Sequence, residues 1–198
     1  MIGVEVCLMR NTISLIVLVF FTVTLRAQEN LPAIDKSPLD VAYYPTNTAF
    51  RNFQKGAERD IQPKARVLYS RPQKKGRSIF GELVPYGEVW RLGANEATEL
   101  TLYTEAMLGD VTLKAGTYSL FALVEEDSWT FLVSTDLYIW GQYHMDESKI
   151  IARVTAPVSK MDDEVEAFTV TFMDKENGSV VLLFAWDHTK VELPVKFK

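Results

Sequence analysis

The chain has 198 residues, a formal net charge of −5, and 47% hydrophobic, 24% charged and 12% aromatic residues. One domain takes ~100–200 residues, which leaves room for a single domain and an accessory segment. With 26 acids to 21 bases the balance speaks against nucleic-acid binding, and ten Gly and eight Pro are too few for a collagen-like or disordered chain.

Ile13 to Leu25 is an uncharged run of thirteen residues. A membrane-spanning helix needs about 20, whereas the apolar centre of a secretory leader needs ~7–15. Arg10 stands before the run and Ala27 after it. Residues 1–27 are therefore expected to be a signal peptide, with Gln28 as the new N-terminus and no transmembrane span in the mature chain. The alternative is an uncleaved anchor. Cys7, the one cysteine, lies before the run, so the exported chain would hold none and fold by packing alone. The expected location is the periplasm or the outer membrane's surface.

Residues 28–63 are polar at first and show no sustained period. They are expected to form an N-terminal arm or linker, loosely held. A sharper reading makes them an added edge element that docks through Tyr43, Tyr44, Phe50 and Phe53.

From residue 64 to 198 the period is two. Leu100 and Leu102, Phe168, Val170 and Phe172, and Val191, Leu193, Val195 and Phe197 each alternate with neighbours on an opposite face. Tyr118 to Val124, Trp129 to Val133 and Val180 to Trp186 are apolar nearly throughout, as in strands covered on both faces. Turn residues separate the runs at Gly109, Gly116, Glu125 to Ser128, and Asn177-Gly178, where positive φ is expected at both residues. Pro194 is expected to place the last strand at an edge, because proline cannot donate to a ladder. The pattern predicts an all-β domain of about nine or ten strands, an antiparallel, jelly-roll-like β-sandwich with a closed barrel as the alternative.

The segment Tyr69 to Thr104 mixes Gly76, Gly81, Gly87 and Gly93 with Trp90, Tyr86 and several charges. Its stretch SRPQKKGRSIFGELVPYGEVWRLGANEAT is similar to the signature of a bacterial, mainly Bacteroidetes, family known as domain of unknown function 2911. LKAGTYSLF, WTFLVS, WGQY and LLFAWDHTKVELP further along resemble it too. The resemblance covers roughly Arg66 to Val195. It implies an exported, β-rich bacterial protein and brings no activity with it. Leu92 departs from the family pattern, which commonly has Thr there.

Six residues are the candidate ligand contacts: Trp90, Arg91, Asn95, Glu96, Trp140 and Tyr143. Aromatic faces can stack on sugar rings or simply fill a core. Arg91 can clamp a carboxylate or phosphate, with Asn95 and Glu96 nearby in sequence. The expected function is binding of a small polar ligand or glycan without chemistry, with no cofactor and no metal. One alternative is a glycan hydrolase using Glu96 and Asp187 as its carboxyl pair. Another is an envelope component that joins a protein partner. Arg71, Lys74, Lys75 and Arg77 form either a polyanion patch or a solvated hairpin tip. His144 and His188 are far apart in sequence, and a metal there would need Asp146 and Asp187 as well. No nucleophile elbow and no phosphate-cradling loop is present.

Overall fold

The computed structural model describes residues 31–198, so the expected leader at 1–27 lies outside the described residues. Ten strands are described: β1 (Leu39–Tyr44), β2 (Ala65–Ser70), β3 (Glu88–Trp90), β4 (Thr98–Leu102), β5 (Ala106–Leu108), β6 (Val111–Leu113), β7 (Gly116–Val124), β8 (Ser128–Ser134), β9 (Ile150–Asp174) and β10 (Val180–Phe197). All pair antiparallel. The ladder runs β1-β2-β4-β7-β8-β9-β10-β5-β6, with β3 beside β7.

The long strand β9 turns this ladder into a sandwich. Its first part, to Pro157, pairs with β8, and from Val158 onward it pairs with β10. The first sheet is thus β1, β2, β4, β7, β8 and early β9. The second is late β9, β10, β5 and β6. Their inner faces meet: Phe131 of β8 packs on Phe184 of β10 at 4.8 Å, and Tyr69 of β2 packs edge-on against Phe168 of β9. Beyond β2 the chain also touches late β9, through the bridge Gln73↔Ala167 and through Phe168 N–H donating to Pro72 O. One open side of the sandwich is stitched there.

The alternating residues point as their period requires. Phe168, Val170 and Phe172 are all within 2% of full burial, and Leu100, Leu102, Val191 and Leu193 are buried too. The apolar runs became β7, β8 and the first half of β10.

Three details differ from the sequence expectation. Residues 39–44 are not a loose arm. They form an edge strand in full register with β2, and Tyr44 stacks on Phe197 at 4.8 Å while its hydroxyl donates to Asp174. The sharper reading describes this part, although Phe50 and Phe53 stay exposed. Pro194 is not at an outer edge, because β10 lies between β9 and β5. It falls between Val191, the last residue paired with β9, and Val195, the first paired with β5, where a missing N–H leaves no ladder bond unmade. At Asn177-Gly178 only Gly178 has positive φ. Asn177 Oδ1 instead accepts from Ser179 N–H, and Gly178 N–H donates to Lys175 O, which makes a longer hairpin loop.

Phe184 is fully buried, whereas Phe53 is 86% exposed. Denaturant unfolding is expected to show a loss of about 3–5 kcal/mol for Phe184→Ala and about 0.5 kcal/mol or less for Phe53→Ala.

Candidate functional site

The segment Trp90 to Ala97 leaves β3 and re-enters the sheet at β4. Three of its residues have positive φ: Leu92 at 56°, Gly93 at 148° and Asn95 at 60°. A leucine in this region is strained by roughly 1–3 kcal/mol. It is held by full burial and by Thr98 Oγ1, which donates to Leu92 O at 2.5 Å. Gly93 packs so closely on β2 that a Cβ there would stand 3.0 Å from Ser70 O. Trp90 Nε1 donates to Gly93 O at 3.1 Å and ties the loop to the core.

A second segment, between β8 and β9, runs alongside. Ala97 N–H donates to Ile139 O at 3.0 Å, and Gly141 N–H to Asn95 O at 2.9 Å. Glu96 and Trp140 form a β-bridge between these hydrogen bonds. Asp136 anchors the start of the segment: its carbonyl accepts from Ser119 Oγ and its N–H donates to Ser134 Oγ. Tyr143 folds back over Gly141, where a Cβ would sit 2.8 Å from the ring.

A cleft of about 450 Å³ opens beside this junction. Trp90 and Trp186 stand in its wall with Leu83, Val84 and Pro85; Arg91, Gln142 and Tyr143 line it as well. Arg91 Nη1 donates to Gln142 Oε1 at 3.1 Å. Its Nε is buried without a hydrogen-bond partner, and no carboxylate pairs with it among the described residues.

The six candidate residues thus lie in one junction but not in one cavity. Trp90, Arg91 and Tyr143 line the cleft. Asn95 braces the paired segments through its backbone. Glu96 is exposed and lines a different cavity, on the outward face of the first sheet. Trp140 is 62% exposed and lines neither cavity. Gln142 was not singled out by sequence reasoning, although it stands inside WGQY between two residues that drew attention.

Asp187 lies elsewhere. It has φ of 56° at an irregularity of β10, where Asp187 pairs with Val165 but Thr189 pairs with Lys160. Lys74 Nζ bonds Asp187 at 2.7 Å and Glu164 at 2.5 Å, and these hydrogen bonds raise the Lys74 pKa above its ordinary value. His188 lies near the same acids, and its ligand atom falls within 4.8 Å of theirs. His144 and Asp146 are not part of that group. The lysine ammonium already supplies the cation these acids need. Arg71 is spent too, on Asp40, Phe168 O and Thr169, and Arg77 on two backbone carbonyls. Arg71 and Lys74 therefore fasten the chain after β2 to late β9.

A family model described as protein of unknown function (DUF2911) matches residues 54–195. No curated protein and no solved structure matches the chain.

Two expectations follow from this geometry. Gly93→Ala is expected to lower stability by about 1–3 kcal/mol in thermal unfolding, because it adds both a strained φ and a contact with Ser70 O. Because Lys74 titrates higher in the folded chain, its contribution is full below its ordinary pKa of 10.5 and is lost as pH climbs through the raised value. Lys74→Gln is expected to lower Tm at pH 7, where Asp187 and Glu164 lose their shared cation.

Proposed function

The chain belongs to the DUF2911 family, whose description assigns no activity, and we propose that it is a non-catalytic binding module for a small polar ligand bearing an acidic group, such as an acidic sugar. The observation that carries this reading is Arg91. Its guanidinium stands in the wall of the cleft with one hydrogen bond and a buried unsatisfied Nε, and no carboxylate pairs with it among the described residues. A carboxylate or phosphate completes such a group with charge-assisted, often bidentate bonds. Of the other charged residues on the lining, Arg77 is bonded to two backbone carbonyls and Glu88 is exposed.

The rest of the cleft suits a sugar. Its volume of about 450 Å³ falls in the ~300–1,000 Å³ range of small-molecule sites. Tyr143, 72% exposed on the lining, offers a face for the apolar C–H side of a pyranose. Gln142 adds an amide beside Arg91. Hydrolysis by Glu96 and Asp187 has no such support: Asp187 lines neither the Arg91 cleft nor the cavity that Glu96 lines, and it is held by Lys74.

We place the protein outside the cytoplasm, on the strength of the leader pattern at 1–27.

Thermal-shift and calorimetric titrations with D-glucuronate, D-galacturonate and D-glucose test the cleft. The acids are expected to raise Tm and glucose to leave it unchanged. Arg91→Gln should remove about 1.5–3 kcal/mol of acid binding while leaving the unliganded Tm within the range of a surface substitution. An Arg91→Gln variant that binds glucuronate as well as the parent would overturn the reading. N-terminal sequencing of the protein recovered from cells is expected to begin at Gln28; an uncleaved leader in protein recovered from the cytoplasm would remove the export proposal.

A further inference from the structure

A second cavity, of about 470 Å³, lies on the outward face of the first sheet. Strand alternation builds its floor. Arg66, Leu68 and Ser70 turn outward from β2, Glu99 from β4, and Ser119 from β7. The register sets Leu68 opposite Glu99, and Glu99 opposite Ser119, in one row across three strands. Leu39 of β1 and the pair Tyr138-Ile139 also line the cavity.

Two polar groups on this floor lack partners among the described residues. Ser70 is 1% exposed, and its hydroxyl makes no hydrogen bond. Arg66 Nε is buried and equally unpartnered, while Nη2 reaches Glu99 only at 3.5 Å. Native structures rarely leave buried polar atoms unmatched, so each calls for an explanation, and a group bound against this floor is one. The nearby hydroxyls are spent: Ser119 donates to Asp136 O, and Thr117 meets Thr101.

The lining decides among ligand classes. Its charges are one guanidinium, on Arg66, and two carboxylates, on Glu96 and Glu99. Two acids repel a phosphate, and the guanidinium repels a bare metal ion. A hydrocarbon would leave Ser70 and Arg66 unmatched. The complement is a primary ammonium for the acids, with an adjacent oxygen acceptor for Arg66 and Ser70 and an apolar body against Leu39, Leu68 and Ile139. We infer that this cavity binds an α-ammonium group next to a carboxylate or carbonyl, as carried by a free amino acid or by the first residue of a peptide. The site is separate from the Arg91 cleft and does not rest on it.

Calorimetric and NMR titrations of the purified protein with L-leucine, L-threonine, leucylglycylglycine and N-acetyl-L-leucine test this. At least one free-amine probe is expected to bind saturably, with shifted amide signals in β2 and β4. N-acetyl-L-leucine, which lacks the ammonium, should bind about tenfold more weakly or worse. Tripeptide binding without amino-acid binding would identify a peptide as the source, and the reverse a free amino acid. Glu99→Gln should weaken binding by about tenfold, whereas Arg91→Gln, in the other cleft, should leave it unchanged. The inference is overturned if no free-amine probe perturbs β2 or β4 at ~10 mM. It is equally overturned if the acetylated probe binds as tightly as leucine, a comparison that needs no variant. Loss of binding in Arg91→Gln together with retention in Glu99→Gln would reassign the ligand to the first cleft.

Discussion

A packed group of aromatic rings joins the two sheets, and the rest of the molecule is arranged around it. Trp90 and Trp186 stack at 5.9 Å with 17° between their planes. Trp129 meets Trp90 edge-on at 5.7 Å, and Phe80 and Phe168 fill the spaces between the indoles. Trp90 comes from β3, Trp129 from β8 and Trp186 from β10, so the group contains side chains of both sheets. Each indole N–H at the stack's ends finds a carbonyl: Trp90 on Gly93, Trp186 on Glu166. These bonds matter because an unmatched buried N–H costs about 1–3 kcal/mol. They also fix where the Gly93 loop and the irregular stretch of β9 must run. A described chain without a cysteine has no disulfide to share that task. The same two indoles stand in the wall of the Arg91 cleft, so the core and the candidate site have a common surface.

Charge is used for fastening in the chain that follows β2 and left available at Arg91. Beyond β2, Arg71 and Lys74 engage Asp40, Glu164 and Asp187, carboxylates from both sheets or their margins. Each pair is partly screened by solvent and contributes modestly alone. Several together, with backbone bonds from Phe168 and Lys74, stitch β9 to the chain that follows β2. Arg91 stands apart from this pattern. It occupies a strained turn, is half-buried, and faces open space. A cation held out of water without a counter-ion destabilises the empty protein slightly and favours any anion that fits.

The sandwich was legible from period and turns, because inward and outward residues differ in polarity along every long strand. Phe168, Val170 and Phe172 illustrate it: three buried aromatics or aliphatics separated by threonines. The reach of β9 across both sheets was not legible, since a strand's partner is a matter of register and not of composition. Strand β1 was legible only as the second alternative to a loose arm, because an edge strand needs only a few inward residues, here Ala42 and Tyr44. Pro194 misled for a related reason. The rule that proline marks an edge holds locally, and β10 exchanges one neighbour for another at that residue. The six candidate residues came from local chemistry, and local chemistry does indicate the junction where WRLGANEAT meets WGQY. It could not divide them between cavities, because the β-bridge from Glu96 to Trp140 turns neighbours in sequence to opposite sides. Arg66, Ser70 and Glu99 carried no signal at all. An outward arginine or glutamate on an alternating strand reads as an ordinary wet face, and only the register shows that they converge.

The segment between β8 and β9 is what makes the two cavities one problem. Tyr138 and Ile139 line the outer cavity, and Gln142 and Tyr143 line the cleft, with Trp140 and Gly141 between. Four backbone or hydroxyl bonds hold this segment in place: two shared with Asn95 and Ala97, and two that join Asp136 with Ser119 and Ser134. Tyr138 takes a positive φ of 61° within it, and Gly141 one of 71°, with the Tyr143 ring lying against the glycine. A segment so constrained before any ligand arrives loses little conformational freedom on binding, which is the main cost a loop-built site otherwise carries. The sandwich therefore does more than display loops. By pinning one of them to the sheet at one end and to the Trp90–Ala97 loop at the other, it keeps two sets of unmatched polar groups at fixed positions on either side of a shared wall.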